Sequence, residues 1–347
     1  MVKKIFAVTA FVFIAFALIV SCSGKKQQEA SNAPDFKVGL VTDVGGIDDR
    51  SFNQGTWEGI VRFGKELGLK EGVGYKYLQS SSEADYVPNL STFADEGLDL
   101  IAAPGFLFTD AMTQVAQQNP DKHFLIIDTF VELPNVVSAV FAEHEGSFLV
   151  GVAAALKAKA DGKDTVGFIG GMKFPLIEKF EAGYTAGVKA VYPECNILVD
   201  YAGDFAAPDK GQALAIKQYN AGAYVIFHAA GATGNGLIKE AKERSKKGDI
   251  VWAIGVDKDQ YQDGIYDGDK SAILTSMVKR VDIAAYSVAK MAYEGKFPGG
   301  KVLVFSLKNK GVGIPENNPN LSTDIVNTIK DYAAKIASGE IVVPDKP

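Results

Sequence analysis

A short apolar run, a glycine turn and a helix start follow one another at residues 38–55, and this strand-to-helix unit recurs along most of the chain. Val38, Leu40 and Val41 lack polar alternation, as a parallel strand covered on both faces requires. Asp43 stands at its carboxyl end, Gly45 and Gly46 let the backbone turn sharply, and Ser51 is placed to cap a helix reaching about residue 69. Further strands are expected at 76–79, 100–103, 124–128 and 136–139, then at 165–169, 197–201, 225–228, 251–256 and 272–276, with a last run at 302–306. Amphipathic stretches at 87–96, 111–118, 146–159, 176–191, 210–220 and 235–246 lie between them. The alternation implies parallel sheets with right-handed crossovers, and two series imply an α/β fold of two Rossmann-like lobes joined by a hinge. Crossings are expected near 141–145, near 276 and at 296–301. The first lobe then comprises 36–142 plus about 277–297, and the second 143–276 plus about 298–347.

The first residues read as a targeting signal. Lys3 and Lys4 precede an apolar segment at 5–20, interrupted only by Thr9. Ile19-Val20-Ser21-Cys22 resembles the lipobox of bacterial lipoproteins, with Ile where Leu is commoner. This predicts a signal peptide at 1–21, a lipidated Cys22 and a flexible polar tether at 22–35; an uncleaved anchor is the alternative. Removing Lys3 and Lys4 from the 36 basic residues leaves the 42 acidic residues in excess by eight. That balance argues against nucleic acid as a partner. Besides Cys22 only Cys195 remains, so an acylated chain has no intrachain disulfide.

Three expected strands end in aspartate, at Asp43, Asp128 and Asp257. Open α/β sheets bind ligands just outside the carboxyl ends of their strands. Ionised carboxylates there accept hydrogen bonds from hydroxyls, amines and N–H groups and repel phosphates. Asn53 shares the first strand exit, and the same carboxylates also fit helix capping or loop bonding. Phe52 at the first helix mouth and Phe205 after the strand at 197–201 fit either core packing or the two jaws of a stacking clamp, worth about 1–3 kcal/mol per base contact. Phe180 reads as core. Lys279 is placed either to donate to a ligand oxygen, to balance Asp257, or to lie solvated. Gly231, in Gly231-Ala-Thr-Gly-Asn-Gly236, lets the backbone approach a ligand, although the segment has neither dinucleotide-loop nor phosphate-loop spacing.

Asp48-Asp-Arg-Ser-Phe-Asn53, Ala139-Val-Phe-Ala-Glu-His-Glu-Gly146, Gly203-Asp-Phe205 with Lys210-Gly211, and Ile254-Gly-Val-Asp257 resemble the basic membrane protein family of lipoproteins, in particular its purine nucleoside receptor A group. The resemblance covers essentially the whole mature chain. It implies a type I periplasmic binding protein architecture and a lipid-anchored receptor at the cell membrane, facing the periplasm or exterior. It also implies a monomer that delivers adenosine, guanosine or inosine to an ABC permease and ATPase, with no cofactor, no metal and no catalysis. On that resemblance Phe52 and Phe205 sandwich the purine, Asp43, Asn53 and Asp128 address the base edge, and Gly231, Asp257 and Lys279 hold the ribose.

Rival readings are weaker. Asp43-Val-Gly-Gly-Ile-Asp-Asp49 resembles the calcium cluster of nucleoside hydrolases, but Val41 stands where an aspartate is needed and the gap to Asp48 is one residue too long. His123, His144 and His228 lie in separate segments, no GxSxG elbow occurs, and only His228, at a strand end, merits inspection. A sugar receptor of the same fold shares the aspartates, yet an aromatic on both faces suits a flat base better than a puckered ring. A surface protein for host macromolecules lacks an apolar or basic patch in the sequence.

Overall fold

The computed structural model describes residues 34–347; the segment holding the lipobox and Cys22 lies outside the described residues. The strands in chain order are β1 (Val38–Thr42), β2 (Tyr75–Gln79), β3 (Leu100–Pro104), β4 (His123–Ile127), β5 (Val136–Phe141), β6 (Thr165–Gly170), β7 (Asn196–Tyr201), β8 (Val225–Ala229), β9 (Trp252–Asp257), β10 (Ile265–Asp267), β11 (Lys270–Ser271), β12 (Ile273–Lys279), β13 (Val302–Phe305) and β14 (Val312–Gly313). The helices are α1 (Phe52–Glu66), α2 (Tyr86–Asp95), α3 (Thr109–Gln118), α4 (Glu143–Ala160), α5 (Pro175–Val191), α6 (Pro208–Asn220), α7 (Gly234–Lys246), α8 (Val281–Tyr293) and α9 (Thr323–Ser338).

Two six-stranded sheets result, ordered β2-β1-β3-β4-β5-β13 and β7-β6-β8-β9-β12-β14. Apart from the antiparallel edge pair β12–β14, all their pairings are parallel, and β10–β11 form a separate antiparallel ribbon. Both sheets share the doubly wound order in which the second strand of each series flanks the first. Each therefore has a topological switch point, between β1 and β3 in one and between β6 and β8 in the other. β1, β3, β6 and β8 are buried along their entire length, which is why they show no apolar–polar alternation.

Helix packing fixes the two lobes. On α5, a Cβ at Gly187 would come within 2.0 Å of the Phe148 carbonyl oxygen, so that α4 and α5 touch backbone to backbone. In α4 most residues are buried, which suits a helix covered by α5, α9 and β12. α1 is seated on α8 in the same close manner through Gly59.

Two of the three crossings fall later than the sequence suggests, while the first lies between β5 and α4. β12 pairs with β9 through Val278 and with β14 through Lys279, so the return to the first lobe follows Lys279 rather than residue 276. The run at 302–305, expected in the second lobe, instead pairs with β5 in the first sheet. The final crossing comes after Phe305. Strand pairing decides this, because β5 would otherwise present an open edge. α1 also ends at Glu66, earlier than residue 69, and Ser51 does not cap it through its side chain.

Candidate functional site

A cavity enclosing about 680 Å³ of unfilled space, mouth included, lies where the two switch points meet. Asp43, Phe52, Asn53, Asp128, Phe205, Gly231, Asp257 and Lys279 all line it. β1 delivers Asp43, β4 leads to Asp128, β9 ends on Asp257 and β12 ends on Lys279. Asp128 and Asp257 have φ of 69° and 66°, a left-handed backbone unusual for residues other than glycine. Such strain at two equivalent strand exits is typical of a site that must aim a side chain. Gly231, at φ 53°, brings its backbone against the Phe205 carbonyl.

The first-lobe wall is organised by Asp49, which the sequence reading passed over. Its carboxylate accepts from the backbone N–H groups of Ser51 at 2.9 Å, Asn53 at 2.8 Å and Gln54 at 3.0 Å. It thereby caps α1 in place of Ser51. Asn53 Nδ2 donates to Asp49 Oδ2 at 3.0 Å and to Asp43 Oδ1 at 2.9 Å. Asp43 Oδ1 also accepts from the Gly45 N–H at 2.8 Å. Burial nevertheless pushes the Asp43 carboxyl up to about 6, with Asp49 adding to the rise and the bonds from Gly45 and Asn53 opposing it. The freed Ser51 hydroxyl donates across the cleft to Asp257. Burial raises the Asp257 carboxyl to about 6, against the pull of Lys279 and Ser51.

Lys279 is neither solvated nor paired first with Asp257. Its side chain is 2% exposed, its ammonium donates to Asp128 Oδ2, and it sits 3.3 Å from Glu143 Oε1. The ammonium also stands 5.1 Å from the Phe52 ring, 5.0 Å from Phe141 and 5.5 Å from Phe180. Burial by itself pulls its titration down. The surrounding Asp128, Glu143 and Asp257 outweigh burial and hold it protonated. Asp128 is raised by its own burial and drawn back by Lys279.

Aromatics form the remaining walls. Phe52 comes from the first lobe and Phe205 from the second, where the Phe205 ring packs on bare Gly171. Phe180 both fills the core and lines the cavity, correcting its reading as core alone. Phe106, missed in the sequence, lines the cavity, lies edge-on to Phe205 at 6.1 Å and stacks on Phe174 of the other lobe at 4.2 Å. The strand-exit rule could have found it, since it follows β3 by two residues. His228 is fully buried, bonded to Gln260 and away from the cavity lining.

The lobes are in contact around the α1 N-terminus. Asn235 donates to the Asp49 carbonyl at 3.0 Å, Gln260 to the Arg50 carbonyl at 3.0 Å, and Lys258 to Gln54 at 3.0 Å and Glu58 at 2.6 Å. Among the described residues no group of three or more His, Cys, Asp or Glu is arranged to hold a metal ion. No described helix is long and apolar enough to cross a membrane.

The family model described as "Bmp: ABC transporter substrate-binding protein PnrA-like" matches residues 36–347. A protein of Listeria monocytogenes named CD4+ T-cell-stimulating antigen is 46% identical, with 100% of each chain covered. The ABC transporter nucleoside-binding protein BmpA of Lactococcus lactis is 38% identical, again over 100% of each chain. Among solved structures, an ABC transporter solute-binding protein of Aeropyrum pernix superposes with a TM-score of 0.78 at 29% identity, covering 89% of this chain and 94% of that one.

Proposed function

The chain belongs to the Bmp family of ABC transporter substrate-binding proteins, and from that premise we propose that its ligand is a purine nucleoside held in the interlobe cavity. One observation carries the reading. The cavity combines aromatic faces from both lobes, Phe52 and Phe205, with three strand-exit carboxylates and a single ammonium. Flat apolar walls suit a base, and the carboxylates suit its N–H groups and the hydroxyls of a ribose. The nucleoside-binding name of the Lactococcus relative supports the same choice. In this reading Asp43, Asn53 and Asp128 meet the base edge, and Gly231, Asp257 and Lys279 meet the ribose. A lipid anchor at Cys22, monomeric state and delivery to a permease and ATPase belong to the same proposal. The carboxylate-rich cavity disfavours a nucleotide phosphate.

Calorimetric titration of protein stripped of ligand by unfolding and refolding tests it, with nucleosides, ribose and free bases compared side by side. Intact nucleosides bind without product formation, and Asp257→Ala weakens nucleosides far more than free bases because a ribose hydroxyl loses its acceptor. Equal losses for both ligand classes would place Asp257 elsewhere. Release of ribose would turn the reading toward hydrolysis, and tight binding of a free sugar alone would replace the nucleoside.

A further inference from the structure

Three successive residues of the first lobe are held by the second. The Asp49 carbonyl accepts from Asn235 Nδ2 at 3.0 Å, the Arg50 carbonyl accepts from Gln260 Nε2 at 3.0 Å, and the Ser51 hydroxyl donates to Asp257. Phe52, the next residue, lines the cavity. Arg50 stands at φ 60°, a left-handed backbone that is costly for a residue with a side chain. Its guanidinium reaches Asp263 at 3.3 Å in an exposed ion pair, which contributes little. Its carbonyl is met by Gln260, a fully buried residue that takes no part in lining the cavity.

Backbone groups fix which way the Gln260 amide points. The Val256 N–H, which only donates, meets Oε1 at 2.9 Å, and the Arg50 carbonyl, which only accepts, meets Nε2. The atom 3.1 Å from His228 Nε2 is therefore an acceptor, so His228 carries a proton on Nε2. Burial pushes the imidazole down to about 4, which leaves Nδ1 bare at neutral pH. His228 Nδ1 is buried with no partner, against Gly234, where a Cβ would come within 2.0 Å of it. For packing of the lobe alone, an unpaired ring nitrogen is a liability. What the ring supplies is the Nε2 proton. Together with the Val256 N–H it clamps Gln260 Oε1 and holds the amide toward Arg50.

We propose that Gln260, its amide held by His228, is a positioning residue for ligand retention: it grips the Arg50 carbonyl from the second lobe, keeps the 49–51 segment and hence Phe52 seated, and slows ligand departure without touching the ligand. This role requires two lobes closed on a ligand and no particular ligand chemistry. The strand-exit residues choose what enters, and the buried Gln260–His228 pair keeps the lobes shut on it.

Inosine and ribose serve as probes, one for the nucleoside reading and one for its sugar rival, with release followed by stopped-flow chase and association by direct mixing. Gln260→Glu keeps the acceptor for Val256 and His228 but turns an oxygen, in place of the amide N–H, toward the Arg50 carbonyl. At about pH 8 it speeds release about tenfold or more and leaves association within about twofold. His228→Leu removes half of the clamp and speeds release about twofold to tenfold, while its melting temperature is not lowered because the unpaired Nδ1 goes with the ring. His228→Gln, whose amide donates in place of Nε2, restores the wild-type rate. A wild-type ring with its proton on Nδ1 in long-range heteronuclear NMR, or release unchanged in both Gln260→Glu and His228→Leu, overturns the proposal. If neither inosine nor ribose binds, the nucleoside reading fails by itself, and small-angle scattering without added ligand decides the role of Gln260. Wider lobe separation in Gln260→Glu than in wild type supports it, and identical curves overturn it.

Discussion

Replacing Lys279 by Met removes the buried cation from a cluster whose other cation, the half-buried Lys179, stands 3.7 Å from Glu143 Oε2, while nearly preserving side-chain volume. Asp128 then loses the cation that sits against it and Glu143 keeps only Lys179, and the two carboxylate side chains are only 6% and 0% exposed. Breaking a buried pair by deleting one member costs about 3–5 kcal/mol, because the remaining charge is uncompensated. Protonation limits the loss. Neutralising a carboxyl that titrates near 4 in the unfolded chain costs about 1.4 kcal/mol per pH unit, or about 5 kcal/mol at pH 7.5. The two figures agree, so Lys279→Met should lower stability by about 3–5 kcal/mol at neutral pH, or roughly 6–10 °C in Tm for a chain of this size. The pH dependence has a definite sign. Without Lys279 the Asp128 carboxyl, already raised by burial, rises further above its unfolded value, so the folded state binds more protons than the unfolded one. The deficit is therefore full above the folded-state titration and shrinks as pH falls through it towards about 4. Circular-dichroism melts of ligand-free wild type and variant at about pH 7.5 and 5 measure this directly, the gap narrowing by up to about 3 kcal/mol. A gap of equal size at both pH values would refute the electrostatic reasoning and leave only lost packing against Phe52, Phe141 and Phe180.

Three further outcomes follow from the geometry. Phe52→Ala and Phe205→Ala should each weaken nucleoside binding by about 1–3 kcal/mol if the rings stack on the base, and calorimetry finding both unchanged removes the clamp. Phe174→Ala deletes the interlobe stack on Phe106 at 4.2 Å. Worth about 0.5–1.5 kcal/mol, its loss should speed ligand release about twofold to tenfold in a stopped-flow chase, whereas an unaltered release rate would free the mouth from any aromatic latch. Gly187→Ala inserts a methyl 2.0 Å from the Phe148 carbonyl, so α4 and α5 must separate. Urea denaturation should show about 1–3 kcal/mol of destabilisation despite the better helix propensity of alanine, and an unmoved midpoint contradicts the backbone contact.

Local pattern carried a large share of the architecture. A short apolar run without alternation, bounded by turn residues, fits a strand covered on both faces, and β1, β3, β6 and β8 are buried throughout. Because such strands open onto a ligand edge, the residues just beyond them were legible as site candidates. Asp43, Asp128, Asp257, Phe52 and Phe205 do converge on one cavity. The same logic overlooked Phe106, whose Phe-Leu-Phe setting reads equally well as core.

Tertiary structure alone decided the partners. Lys279 meets Asp128 across 151 residues of chain, and Ser51 meets Asp257 across 206. Nothing in either local sequence distinguishes a buried, paired lysine from a solvated one, or a capping serine from one that reaches the other lobe. Asp49 displaced Ser51 at the helix start because its two oxygens satisfy several orphan N–H groups at once. β13 joined the first sheet because the β5 edge offered a continuous row of hydrogen-bonding groups. Periodicity sets what each segment can become, since it acts between near neighbours. Which distant edge or charge a segment meets is a competition for burial and pairing that only the assembled fold resolves.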